Sequence, residues 1–263
     1  MNKILKIIKY QIQDNIRSKW IIGYTIFFLI VSYWLISFTN DSSKVILSLL
    51  NIVLIVIPLI SIVFGTIYIY NNKNYITFML SQPINRTTLY NGLYFGLVVP
   101  LLISFILGIG VPVIFNLGIF SESWDALLMV FISGIFQILV FTALAFLIAT
   151  LNDDKLKGLG ISIFVWLMFS IVYDGLILFL LQVFQDYPLE KLALSLTLLN
   201  PIDLGRILTI LKFDVSALMG YTGAIFEDFF GNNWGLFISL TVLLVWFILP
   251  FLLGRKKFTD KDI

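Results

Sequence analysis

The sequence predicts an all-α polytopic membrane protein: six transmembrane helices, a basic amphipathic helix before them, and a helical outer segment between spans five and six. Three observations lead there. Hydrophobic residue types make up 60% of the 263 residues and charged types only 12%, whereas soluble domains carry about 25% charged residues. A chain with half the usual charge cannot cover a globular surface with groups that water solvates. The apolar residues form continuous runs rather than alternating with polar ones, which excludes a transmembrane β-barrel. Those runs are close to the ~20 residues that cross about 30 Å of hydrocarbon.

Taken from the N-terminus, residues 3–17 place Ile4, Leu5, Ile8, Ile12 and Ile16 on one helical face and Lys3, Lys6, Lys9, Gln13 and Arg17 on the other. A basic face beside an apolar one suits a helix at the cytoplasmic membrane surface. The spans read as Trp20–Phe38, Val45–Tyr70, Tyr90–Phe115, Trp124–Leu151, Leu159–Phe184 and Trp234–Leu253, with no Lys or Arg inside any of them. Trp20, Trp34, Tyr70, Trp124 and Trp234 stand near span ends, where interfacial aromatics belong. Span one is longer than a signal-peptide core, and no Ala occurs before Ala126 to form a cleavage site. In span three, Gly92 and Gly96 are spaced for a close helix contact. Pro58, Pro100, Pro112 and Pro250 invite bends.

Of the 17 Lys and Arg residues, thirteen fall on the side of the termini and of the loops after spans two and four. Positively charged loops stay in the cytoplasm, so both termini are expected there. Asp186, Glu190, Asp203, Asp214, Glu227 and Asp228 crowd the opposite side, in segment 185–233.

Two extramembrane elements invite partners. In the cytoplasmic loop after span two, Tyr75, Ile76, Phe78, Met79 and Leu80 form a short apolar ridge, closed by Ser81-Gln82-Pro83 and followed by Arg86. Such a ridge packs either against the membrane interface or into a groove on a partner, and the residues leave both open. Outside, Asn200-Pro201-Ile202-Asp203 is a helix start, with Asn as cap, Pro at the first position and Asp near the positive dipole end. Arg206 lies three residues after Asp203, within reach of an ion pair. Leu189, Leu192, Ala193, Leu196 and Leu199 form an apolar face before it. The segment is expected to lie on the outer leaflet or to serve as a docking platform. It is too small for a catalytic domain.

Asp174, beside Tyr173, is the one ionisable side chain deep in a span. It reads either as a proton-relay or coupling group, or as a carboxyl satisfied by a neighbouring helix. With no basic partner in any span, the second reading fits better.

The chain has no His and no Cys, which removes disulfides, Cys/His metal sites, His general bases and Cys nucleophiles. No Lys follows a Gly, so a phosphate-binding Walker A loop is absent. No catalytic constellation and no metal site are expected.

Several features together resemble the type-2 (ABC-2) permease family. They are the basic N-terminal helix, the six spans, the cytoplasmic element Phe78-Met79-Leu80-Ser81-Gln82-Pro83-Ile84-Asn85-Arg86, the long outer segment, and the tail Phe258-Thr259-Asp260-Lys261-Asp262-Ile263. Trp166 with Tyr173-Asp174, the spaced Asn200-Pro201-x-Asp203-x-x-Arg206, and Ala217-Leu218-Met219-Gly220 with Gly223-Ala224 resemble the NosY branch of that family. Two departures stand out. Asn71-Asn72-Lys73-Asn74 replace acidic residues usual before the cytoplasmic element, and Asn91 replaces a basic residue before Gly92.

The resemblance implies a single permease domain over residues 1–263, embedded among lipids of a bacterial inner membrane. It implies a homodimer that carries no cofactor and no nucleic acid, with ATP and Mg²⁺ bound by a separate NosF-like ABC ATPase. It also implies a periplasmic NosD-like partner that handles copper for nitrous oxide reductase maturation. Tyr75, Ile76, Phe78, Met79, Leu80, Gln82, Pro83 and Arg86 would form the coupling helix that meets the ATPase. Asn200, Pro201, Asp203 and Arg206 would form the periplasmic platform. An exporter of a lipid, antibiotic or peptide and an ion-coupled secondary transporter are the competing expectations.

Overall fold

The computed structural model describes residues 3–38, 41–117, 124–184, 195–210 and 233–261, and the described residues are helices joined by short turns. The elements are α1 (Lys3–Ile16), α2 (Lys19–Phe38), α3 (Ser42–Asn71), α4 (Lys73–Leu80), α5 (Arg86–Leu117) and α6 (Trp124–Leu151). There follow α7 (Lys155–Leu167), a π-helical turn (Met168–Val172), α8 (Tyr173–Val183), α9 (Pro201–Ile210) and α10 (Asn233–Asp260). Six helices are long and apolar enough to cross a membrane, matching the six expected spans within a few residues. Prolines 58, 100, 112 and 250 all lie inside continuous helices. In membrane helices, neighbouring helices and side chains compensate for the lost backbone bond.

Span five departs from the expected continuous helix. It is α7, the π turn and α8 in sequence, with the Tyr173 amide bonded to the Met168 carbonyl five residues back. Single π turns inside α-helices recur at functional positions.

Spans two, three and four form the inside of the bundle, and spans one, five and six lie around them with broad exposed apolar faces. α3 and α6 form the central pair. A Cβ on Gly65 would stand 2.6 Å from the Ala145 Cβ, so the two backbones approach as closely as a small-residue contact allows. Thr66 and Ser162 share a buried hydrogen bond of 2.7 Å between their hydroxyls, tying span two to span five. Toward the end that carries α4, Tyr90, Tyr94, Phe146, Phe247, Phe251 and Phe258 interlock edge-to-face, tilted and, for Tyr94 with Phe247, stacked, joining α5, α6 and α10. The Tyr94 hydroxyl donates to the Leu139 carbonyl at 2.8 Å, the polar partner a buried tyrosine requires.

The Gly92/Gly96 pair makes its expected close contact, and its partner is α1. Ile7 sits on Gly92 and Gln11 on Gly96, where an added Cβ would approach to 2.5 and 2.4 Å. Asn15 completes the row by donating from Nδ2 to the Gly96 carbonyl at 3.0 Å. The packed face of α1 is therefore Ile7-Gln11-Asn15, not the Ile4-Leu5-Ile8-Ile12-Ile16 face expected from periodicity. Leu5 and Ile16 remain exposed. The polar pair wins because Gln11 Oε1 accepts from the Tyr68 hydroxyl at 2.6 Å and Asn15 reaches a backbone carbonyl, so neither is buried unsatisfied. The exposed Leu5, Tyr10 and Ile16 are left for lipid.

Candidate functional site

Two polar clusters stand out on this apolar scaffold. The first gathers the helix ends around α4. α4 lies on the bundle through buried Ile76 and half-buried Tyr75, Met79 and Leu80. Tyr75 stacks on Tyr10 of α1, with ring centroids 6.4 Å apart. The opposite face turns outward, with Phe78 61% exposed and Gln82 and Pro83 exposed beyond it. The eight nominated residues thus divide. Phe78, Gln82 and Pro83 face out, while Ile76, Tyr75, Met79 and Leu80 hold the helix in place.

Arg86 has a different task. Its Nη1 donates to the carbonyls of Thr259, at 3.1 Å, and of Lys261. A cation at the C-terminal carbonyls of a helix is favoured by the dipole, so Arg86 caps α10. Lys261 in turn bonds the Thr150 carbonyl at 2.9 Å and pairs with Asp153 at 2.6 Å. Lys261 holds the Asp153 carboxyl below its ordinary 3.8. The Lys73 ammonium donates to the Asp153 carbonyl at 2.8 Å, and Lys155 to Asn71 Oδ1 at 3.1 Å. The Tyr70 hydroxyl donates to the Asn152 carbonyl at 2.8 Å. The loop carrying α4, the loop between spans four and five, and the tail are tied into one unit.

The second cluster corrects two expectations. Asn200 and Pro201 do start α9, and Asn200 Oδ1 accepts the Ile202 amide at 3.0 Å as a capping residue does. But α9 does not lie on the outer leaflet. It packs on α6, α3, α10 and the π turn. The Gln137 amide donates to the Pro201 carbonyl at 2.7 Å and the Ser133 hydroxyl to the Gly205 carbonyl at 3.0 Å. A Cβ on Gly205 would stand 3.0 Å from Gln137 Nε2 and from Leu54 Cδ2. Gln137 is 13 residues inside α6 from its start at Trp124, about 20 Å at the helical rise of ~1.5 Å per residue. The segment 195–210 therefore re-enters the bundle from the Trp124 end of α6, opposite the end that carries α4. Asn200, Pro201 and Asp203 are buried, so these side chains present nothing outward, and Arg206 is half-buried. Leu196 is half-buried and Leu199 exposed. Leu189, Leu192, Ala193 and residues 217–224 lie outside the described residues.

Asp174 also has the basic partner that the spans lack. Arg206 Nη1 stands 3.0 Å from Asp174 Oδ2 and 3.2 Å from Asp203 Oδ1. The Asn200 amide donates to Asp203 Oδ2 and to the Phe169 carbonyl in the π turn, each at 2.9 Å. The Tyr173 hydroxyl donates to the Leu196 carbonyl at 2.5 Å. Trp166 of span five bonds the Ile55 carbonyl at 3.1 Å. Counting cations only within spans missed Arg206. The available signal was α9 itself, PIDLGRILTI, which is apolar apart from one Asp, one Arg and one Thr and makes a poor surface helix.

The sequence matches the model of the ABC-2 family transporter protein over residues 5–263. The chain belongs to the ABC-2 transporter family. Curated relatives include the probable ABC transporter permease protein NosY of Pseudomonas aeruginosa, 24% identical over 237 residues, covering 84% of this chain and 86% of that protein. The protein of the same description from Stutzerimonas stutzeri is 23% identical over 234 residues, covering 82% and 84%. The chain is thus a NosY-like ABC-2 permease. That membership places it in a membrane and implies an ABC ATPase as its partner. The two clusters fall at opposite ends of the bundle: a braced face carrying α4, and a charged tether between span five and α9.

Proposed function

We propose that this permease works as a homodimer in the inner membrane, with both termini cytoplasmic. It couples ATP hydrolysis by a separate NosF-like ATPase to a conformational change passed to a periplasmic NosD-like, copper-handling partner for nitrous oxide reductase maturation. The chain itself is non-catalytic in this scheme, and ATP with Mg²⁺ belongs to the ATPase.

The observation that carries the reading is the two-sided character of α4. One side is fixed to the bundle through Ile76, and the other offers Phe78 to the cytoplasm, 61% exposed. A large exposed aromatic on a fixed helix is a suitable anchor for an apolar groove on a partner. Because α4 shares a braced unit with the ends of α6, α7 and α10, force applied to it reaches three spans at once. Arg86, Lys73, Lys155 and Lys261 supply that bracing through backbone carbonyls, the Asp153 carboxylate and the Asn71 amide oxygen, so it forms with asparagine where acidic residues are usual.

The test is assembly of the purified chain with its ATPase. Phe78→Asp is expected to abolish co-purification and ATPase stimulation while the permease melts within about 0.5 kcal/mol of the parent, as exposed substitutions do. If Phe78→Asp assembles and stimulates normally, α4 is not the coupling helix. If the parent chain itself recovers no ATPase, the ATP-driven reading fails.

A further inference from the structure

The geometry points to a latch: the Asp174–Arg206 ion pair makes the outer half of span five, Tyr173–Val183, move as one body with the re-entrant segment 195–210, hinged at the π turn. Three observations converge on it.

The first is how little else holds α8. Among the described residues it has no broad packing contact with any helix beyond its own π turn, and Leu176, Leu178, Phe179 and Val183 are exposed. By contrast α9 is wedged against α6 and α3 through Gly205.

The second is where the ties lie. Arg206 to Asp174, the Tyr173 hydroxyl to the Leu196 carbonyl, and the Asn200 amide to the Phe169 carbonyl all join span five to 195–210 within one stretch from Phe169 to Asp174. The stretch includes the π turn, where the regular ladder is interrupted and a helix bends most readily.

The third is charge. One guanidinium faces the carboxyl groups of both Asp174 and Asp203, and Asp203 is held by Asn200 as well. Within a membrane span an unpaired carboxylate is costly, so Asp174 stays with Arg206 and pulls α8 along. What the latch is used for rests on the reading of the chain as an ATP-driven permease. Motion of span five would then be delivered to 195–210 and the outer residues flanking it.

The chain has no cysteine, so paired labels need no background removal. Spin labels at Leu178→Cys and Leu199→Cys, both exposed positions, report the distance across the latch. The sample is the full chain with its ATPase in lipid nanodiscs. Without nucleotide the parent is expected to give one narrow distance distribution. Asp174→Asn and Arg206→Gln each widen it about twofold as a second arrangement becomes populated. Arg206→Lys and the exchanged pair Asp174→Arg with Arg206→Asp restore the narrow form. Neutral variants as narrow as the parent, or an exchanged pair as broad as the single variants, overturn the latch. Should Arg206→Gln give no folded chain, Asp174→Asn carries the same test. A second pair, Leu178→Cys with the exposed Ile114→Cys on α5, a helix with which α9 has no broad contact, is read with and without trapped ATP. The expected result is a shift across this pair with none across the latch. An equal shift across both overturns the latch. If no pair responds to nucleotide, the ATP-driven reading fails while the nucleotide-free widths still decide the latch.

Discussion

At the scale of single residues, glycine separates positions that build the bundle from positions that only line it. A Cβ on Gly96 would stand 2.4 Å from the Gln11 Cβ, whereas at Gly175 nothing lies within 4 Å. Gly96→Leu is therefore expected to cost about 1–3 kcal/mol through overpacking and to lift α1 from α5. Faster tryptic cleavage at the exposed Lys9 and Arg17 would report that release. Gly175→Ala should be neutral or slightly stabilising, since Ala is the better helix former by up to ~1 kcal/mol in exposed interiors. Equal melting points for the two variants would contradict the assignment of Gly96 as the α1 seat. Tyr68→Phe removes the donor at 2.6 Å from buried Gln11 Oε1. It should cost about 1–3 kcal/mol for the unsatisfied acceptor, and Gln11→Met in the same background should recover much of that.

At the scale of elements, the spans and α4 were legible because their signals are local. Length, apolarity, flanking charge and the Ser-Gln-Pro break all sit within one window of sequence. What was not legible is where a polar side chain finds its partner. The periodicity of α1 favoured its isoleucines, but the tertiary contact selected Gln11 and Asn15, whose acceptors and donors lie on α3 and α5. The capping start of α9 was readable from Asn200 and Pro201. Its burial was not, because it depends on Ser133, Gln137 and Gly205 meeting across about 70 residues of chain. The brace around α4 is of the same kind, with Arg86 reaching the tail 173 residues away. It makes a pH-dependent prediction. The Asp153 carboxyl is held below 3.8 by Lys261, so its contribution is complete above the ordinary carboxylate range and disappears as pH falls through the lowered value. Tail protection against hydrogen exchange should therefore be flat from pH 7 to about 5 and fall only below about 4. Because the Asp153 side chain is 81% exposed, molar salt should weaken it. Lys261→Met should remove the pH dependence, and a loss of protection already between pH 7 and 6 would rule out this pair as its origin.

At the scale of the whole molecule, the charges and the two clusters describe one direction. The braced end of the bundle, with Arg86, Lys73, Lys155 and Lys261, is also the end that carries most of the basic residues. Basic residues near span ends resist translocation, so this end is expected in the cytoplasm, where an ATPase would meet α4. The re-entrant segment then opens to the opposite side, and span five connects the two through the π turn near its middle. Orientation is the premise that this arrangement rests on, and it can be measured directly because the chain has no cysteine of its own. Ser81→Cys, exposed just after α4, should react with a membrane-impermeant maleimide only after the cells are opened. Lys44→Cys, exposed beside the cap of α3, should react in intact cells. The reverse pattern would put α4 on the side away from cytoplasmic ATP and would sever the link between the cytoplasmic brace and nucleotide hydrolysis.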